Sequence, residues 1–80
     1  MNELKSYFHI VPKDDGTTYL CCDKHTNNTY LCGKEKYANP DALVFNSEES
    51  ANKWIKDHDI NKKYKVEKFW STANYTTLQN

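Results

Sequence analysis

The stretch Asn46-Ser47-Glu48-Glu49-Ser50-Ala51-Asn52-Lys53-Trp54-Ile55-Lys56-Asp57-His58 decides the fold. Ala51, Trp54, Ile55 and His58 recur at the spacing of one helical face. Glu49, Lys53 and Asp57 stand four apart with alternating sign on the opposite side, as a solvated face should. Asn46 can cap, and Glu49 three residues later completes a capping box with acid at the positive end of the helix dipole. Asn61 suits the C-terminal end. A single amphipathic helix has to bury its face against something, and the flanking sequence supplies strands.

Downstream, Lys63 to Trp70 alternates, with Tyr64, Val66, Lys68 and Trp70 against Lys63, Lys65, Glu67 and Phe69. Upstream, Ala42 to Phe45 is a short apolar run that either adds an edge strand or only anchors the approach to the helix. Leu4 to Val11 alternates and ends at Pro12, and Asp15-Gly16 is a hairpin signal. Thr17 to Asp23 and Thr29 to Gly33 share the tetrapeptide Thr-Tyr-Leu-Cys, at 18–21 and 29–32. The repeat predicts two strands of similar burial, with His25 to Asn28 turning between them. Residues 4–33 therefore read as an antiparallel meander and 34–41 as a loop.

The expected fold class is α+β: a small antiparallel sheet of four to five strands with one helix on one face, in the order β-β-β-(β)-α-β and in two layers. The expected core is Phe8, Ile10, Leu20, Leu31, Val44, Phe45, Ala51, Trp54, Ile55, Tyr64 and Val66. Residues 1–70 form the expected domain. Residues 71–80 form a flexible or partner-dependent tail, in which Tyr75 to Leu78 would add at most a marginal strand.

Eleven Lys and no Arg balance eleven acids in this chain of 80 residues, so the net charge of 0 omits the counterion-release contribution of a dedicated duplex binder. No run approaches the roughly 18 apolar residues of a membrane span, and no basic segment leads into an apolar stretch at the N-terminus, so the expectation is a cytoplasmic chain. The charge is polarised: 41–61 is acidic and 62–80 is basic. Nine Asn with eleven Lys and no Arg are the bias of AT-rich coding, as in low-GC bacteria and their phages. Aromatics make up 14% of a chain with mean hydropathy -0.97, which implies rings on the surface, where Tyr and Trp favour recognition.

Three cysteines include the adjacent pair Cys21 and Cys22, which on a strand point to opposite faces. Cys22, His25 and Cys32 are the candidate zinc ligands, but the paired units of a structural zinc site are absent and buried reduced thiols account for all three. No cofactor is expected. The histidines at 9, 25 and 58 fall in three elements, and two glycines supply neither an oxyanion site nor a phosphate loop, so the chain reads as non-enzymatic.

Three surfaces are candidates for binding. The acidic helix, with Asp41, Glu48, Glu49, Asp57 and Asp59, could imitate phosphates in a basic groove of a host protein. A sheet face without internal cover would expose Tyr7, Tyr19 and Tyr30 to a protein partner or to a second copy in a homodimer. The interleaved Lys63, Lys65, Lys68 and Trp70 suit a single-stranded nucleic acid by stacking and phosphate contact. The same lysines also serve to protect a strand edge.

Val44-Phe45-Asn46-Ser47-Glu48-Glu49-Ser50-Ala51-Asn52-Lys53-Trp54-Ile55 followed by Tyr64-Lys65-Val66 is similar to a strand-helix-strand unit of small phage and low-GC bacterial proteins. Some of these inhibit host defence, the anti-CRISPR proteins among them. The resemblance covers about a quarter of the chain and carries over no functional residue. It implies a small viral inhibitor acting by protein binding in the host cytoplasm, on a nucleic-acid-processing or CRISPR-Cas complex. The alternative is a single-stranded nucleic-acid-binding accessory using residues 62–70.

Overall fold

The computed structural model describes residues 3–36 and 39–78. Strand β1 (Lys5–Pro12) is the centre of the arrangement. Ile10 is buried on one of its faces and Tyr7, His9 and Val11 on the other. A strand apolar on both faces needs cover on both sides and pairing on both edges. β5 (Tyr64–Ser71) matches it residue for residue, from Lys5 opposite Ser71 to Pro12 opposite Tyr64. The two-residue β4 (Val44–Phe45) lies on its other edge, opposite His9 and Phe8. The sheet order is β4-β1-β5, and all pairings are antiparallel.

β2 (Thr18–Cys22) and β3 (Thr29–Gly33) form a second antiparallel sheet. The two sheets are joined by one segment. Cys22 N–H donates to the Asp41 carbonyl at 2.8 Å and Leu43 N–H to the Leu20 carbonyl at 3.3 Å, after which Val44 and Phe45 pair with β1. Residues 41–45 thus leave one sheet and enter the other, as corner strands do. A bridge between Phe45 and Leu78 extends the β4 side, with Leu78 N–H donating to the Val44 carbonyl at 2.8 Å.

The α+β class and the element order agree with the sequence reading. The meander does not: β1 pairs with β4 and β5, not with β2. At the expected hairpin the Asp15 carboxylate accepts from Thr17 N–H and Oγ1, a local turn that carries the chain out of the sheet. β2 then curls over the face opposite the helix and packs Tyr19 and Cys21 against Val11. That face was expected to lack cover.

Helix α1 (Glu48–Asp57) forms as the periodicity requires, with one shift at its start. Ser47 is the cap, its backbone extended (φ -143, ψ 150) and its Oγ accepting from Ser50 N–H at 3.1 Å. Asn46 and Glu49 therefore do not make the capping box. His58 closes the helix, and Asp59 takes the left-handed φ of 54 that ends it before Asn61. Ala51, Trp54 and Ile55 pack on Ile10, Leu20, Leu43 and Phe45.

Two further details differ. Leu31, expected in the core, is exposed, because β3 is the outer strand of its hairpin. β5 ends at Ser71 instead of Trp70, and the tail packs: Tyr75 meets the Tyr7 ring edge-on at 5.0 Å. Gln79 and Asn80 lie outside the described residues. Among the described residues, no helix is long and apolar enough to cross a membrane.

Candidate functional site

The acidic candidates do not share a surface patch. Glu48 and Glu49 open α1, while Asp57 and Asp59 lie at its far end, about 14 Å along the axis. Asp57 is bound by Lys53 at 2.8 Å, and that hydrogen bond holds its carboxyl below the usual range. Asp41 sits in the corner segment and accepts from the Tyr30 hydroxyl at 2.6 Å. This contact pushes the Tyr30 phenol up. The helix therefore presents two separated acid pairs, one of them partly neutralised.

The tyrosine face is also corrected. Tyr7 and Tyr19 are buried, Tyr7 under Tyr75 and Tyr19 on the His9 ring, and only Tyr30 remains exposed. Burial pushes the Tyr19 phenol far above its ordinary value, with Cys21 and Cys32 adding to the effect. These rings are core groups and offer no continuous aromatic surface.

The candidate zinc ligands are divided by strand geometry. Cys22 stands opposite Thr29 and Cys32 opposite Tyr19, so the two thiols face opposite sides of the hairpin. His25 is in the exposed turn, where its N–H donates to the Asp23 carboxylate at 2.8 Å. The thiol that neighbours Cys32 is Cys21, and burial first, then Cys32, raises it to about 12. At neutral pH such a thiol stays protonated and is neither a ready nucleophile nor a ready ligand. Among the described residues, no group of three or more His, Cys, Asp or Glu is placed to hold a metal ion.

One polar cluster was not legible in the sequence. Glu67 Oε1 accepts from Lys34 Nζ at 2.6 Å and lies 2.8 Å from His9 Nε2. The His9 ring is 1% exposed and stacks between Phe69 at 4.3 Å and Tyr19 at 5.6 Å. Burial pushes the His9 pKa down, and the Glu67 hydrogen bond opposes that only in part. The neutral ring thus donates Nε2–H to the carboxylate. For Glu67, burial acts upward, but the Lys34 and His9 hydrogen bonds outweigh it and leave the carboxyl below its ordinary value. With the imidazole enclosed between two rings, the arrangement satisfies the buried polar atoms of His9. Nothing local marks it, since His9 and Glu67 are 58 positions apart.

The basic strand divides between two faces. Lys68 and Trp70 share the face of Phe8 and Ser6, their β1 partners, while Lys65 belongs with Glu67 and Phe69 on the other, and Lys63 precedes the strand. The four residues therefore do not line one track for a nucleic acid.

What Lys68 and Trp70 join instead is an exposed apolar patch. α1 follows Phe45, which lies opposite Phe8, and runs back towards the end where Tyr64 meets Pro12. Its ten residues reach about 15 Å, whereas eight-residue strands extend roughly 26 Å, so α1 leaves part of that sheet face uncovered. Trp70 is 58% exposed, and Leu4, just before β1, is 62% exposed. Lys68 Nζ lies 4.8 Å from the Trp70 ring centre and 5.9 Å from that of Phe8. The sequence signal was available in the alternation of both strands, but Leu4 and Phe8 could join Trp70 only once β1 was paired with β5.

A groove of about 1250 Å³ opens between the turn end of the β2–β3 hairpin, the corner segment, α1 and the tail. Trp54, His58, Leu43, Tyr75 and Leu78 line it, along with amide and hydroxyl side chains. His58 stacks on Trp54 at 3.6 Å and its Nδ1 is 2.8 Å from the Trp54 carbonyl, which holds both rings in the wall. No protein-family model, curated protein or solved structure matches this chain.

Proposed function

We propose that this chain is a small, non-catalytic binding protein of a phage or mobile element, which acts stoichiometrically on a host protein through the Leu4, Phe8, Lys68 and Trp70 patch and inhibits it. The observation that carries the reading is the exposure of Trp70, with Lys68 Nζ 4.8 Å from its ring centre. A large, exposed, rigid ring beside a cation is the composition of an interface anchor, and Trp is among the residues most enriched at such anchors. The Lys and Asn bias and the resemblance of residues 44–66 support a phage or low-GC source. A nucleic-acid-processing or defence complex remains the preferred class of target. The single-stranded nucleic-acid reading is the weaker one, because Lys65 lies on the face opposite Lys68 and Trp70.

Tagged wild type and Trp70→Ala tested against lysate of a low-GC bacterium, with and without nuclease and read by mass spectrometry, would decide between them. The expected result is a stoichiometric protein partner that survives nuclease and is lost from the variant, a weakening of about thirtyfold or more. Capture that disappears with nuclease, or that Trp70→Ala leaves intact, overturns the reading.

A further inference from the structure

β5 ends the three-stranded sheet: β1 lies on one side and, among the described residues, no strand pairs on the other. Among the described residues, its backbone hydrogen bonds between residues 65 and 71 run to β1 alone. An eight-residue edge is a template for a further strand, and proteins usually blunt such edges with lysine. Lys65 and Lys68 fit that role against an arbitrary strand. They do not block a second copy of the same strand, because Glu67 lies between them.

We infer that two copies of this chain associate through β5, antiparallel and with the two-fold axis at Val66, to form a continuous six-stranded sheet. In an antiparallel pair related by a two-fold axis, directly opposite residues share a face, so the residue on the axis fixes all the others. With Glu67 on the axis, Glu67 meets its own copy, and with Lys68 or Lys65 there, lysine meets lysine. Like charges directly opposite are unfavourable in a ladder. With Phe69 on the axis no charges clash, but its ring is already engaged inward on His9 at 4.3 Å and Tyr7 at 5.7 Å, and has little left to give a neighbour.

With Val66 on the axis, Val66 meets Val66, the two flanking pairs match and Lys63 opposite Phe69 adds no charge clash. Lys65 of each chain lies opposite Glu67 of the other, twice over. Tyr64 lies opposite Lys68, a ring and a cation, also twice. Both intrachain contacts of Glu67, to His9 and Lys34, use Oε1, and the second Lys65 would approach Oε2. Lys65 is exposed and has no part in the core, so the pairing needs no rearrangement. The interface shares Lys68 with the host-binding patch, but its Val66, Lys65 and Glu67 pairs lie outside that patch, so substitution of Lys65 tests it separately.

Sedimentation equilibrium at roughly 100 μM protein should find a dimer for the wild type. Lys65→Glu puts glutamate opposite glutamate at two places and should weaken association by on the order of tenfold, while circular dichroism confirms that the variant is folded. Lys65→Met removes the attraction without adding repulsion and should fall between the two. For the register, isotopically labelled and unlabelled chains are mixed and treated with a carbodiimide. A cross-link from Lys65 of one chain to Glu67 of the other is the expected product. A wild type that stays monomeric, a dimer that Lys65→Glu leaves unchanged, or a dimer without that mixed-isotope cross-link overturns the proposal.

Discussion

His9→Phe isolates the cost of keeping an imidazole between two aromatic rings. Phe preserves the stack on Phe69 and Tyr19 and removes the Nε2–H bond to Glu67, which keeps Lys34. At pH 7.5 the loss of one hydrogen bond costs about 1 kcal/mol and the added apolar burial offsets part of it, so the variant should lie within about 1.5 kcal/mol of wild type. The response to acid separates the two proteins. Burial depresses the His9 pKa below the ordinary histidine value of 6.5, so the unfolded chain binds a proton before the folded one does. Stability is therefore fully present above pH 6.5 and falls as the pH drops towards the folded value, by at most about 1.4 kcal/mol per pH unit. Glu67 acts in the same direction but in a lower window: its depressed carboxyl contributes stability above the ordinary value of 4.5 and loses it only below. The window from pH 6.5 to about 5 thus belongs to His9 as far as this pair is concerned. Urea unfolding followed by tryptophan fluorescence, at steps from pH 7.5 to 5.0, should give a wild-type midpoint that falls with acid and a His9→Phe midpoint that falls less. Equal slopes in the two proteins would refute the claim that His9 is held neutral.

Two further outcomes follow from contacts described above. Ser47→Ala should cost about 1 kcal/mol in urea unfolding and Asn46→Ala much less, because the cap oxygen bonded to Ser50 N–H belongs to Ser47; the reverse ranking would restore the capping box. Tyr75→Ala should cost about 2 kcal/mol, since its half-buried ring meets Tyr7 and Phe69 edge-on at 5.0 and 5.8 Å; a neutral result would mean that the segment after β5 adds nothing to the core.

The helix was legible because its signal is local: periodicity, a cap one residue from the expected place and a solvated charge row all lie within one short stretch. The strands were legible as strands for the same reason. Their partners were not, and the repeated Thr-Tyr-Leu-Cys shows why. Tyr19 and Leu20 are 1% and 3% exposed, whereas Tyr30 and Leu31, in the same tetrapeptide, are 39% and 44% exposed. One copy lies under β1 and the other is the outer strand of the hairpin, a difference in tertiary place that no local pattern encodes. The same limit hid the candidate surfaces. A patch of Leu4, Phe8, Lys68 and Trp70 depends on the register of β1 against β5, and the acid pairs of α1 separate only when its length is laid out in space.

The centrality of β1 sets the order in which the molecule can be made. A ribosome delivers β1 first, yet both strands that flank it come from the second half of the chain. His9 waits for Glu67, 58 positions later, which at about 5–20 residues per second is several seconds of synthesis during which one edge of an apolar strand stays unpaired. The hairpin of β2 and β3 can close alone in microseconds, and the helix can form before β5 appears. Nascent β1 is therefore the segment most in need of a chaperone.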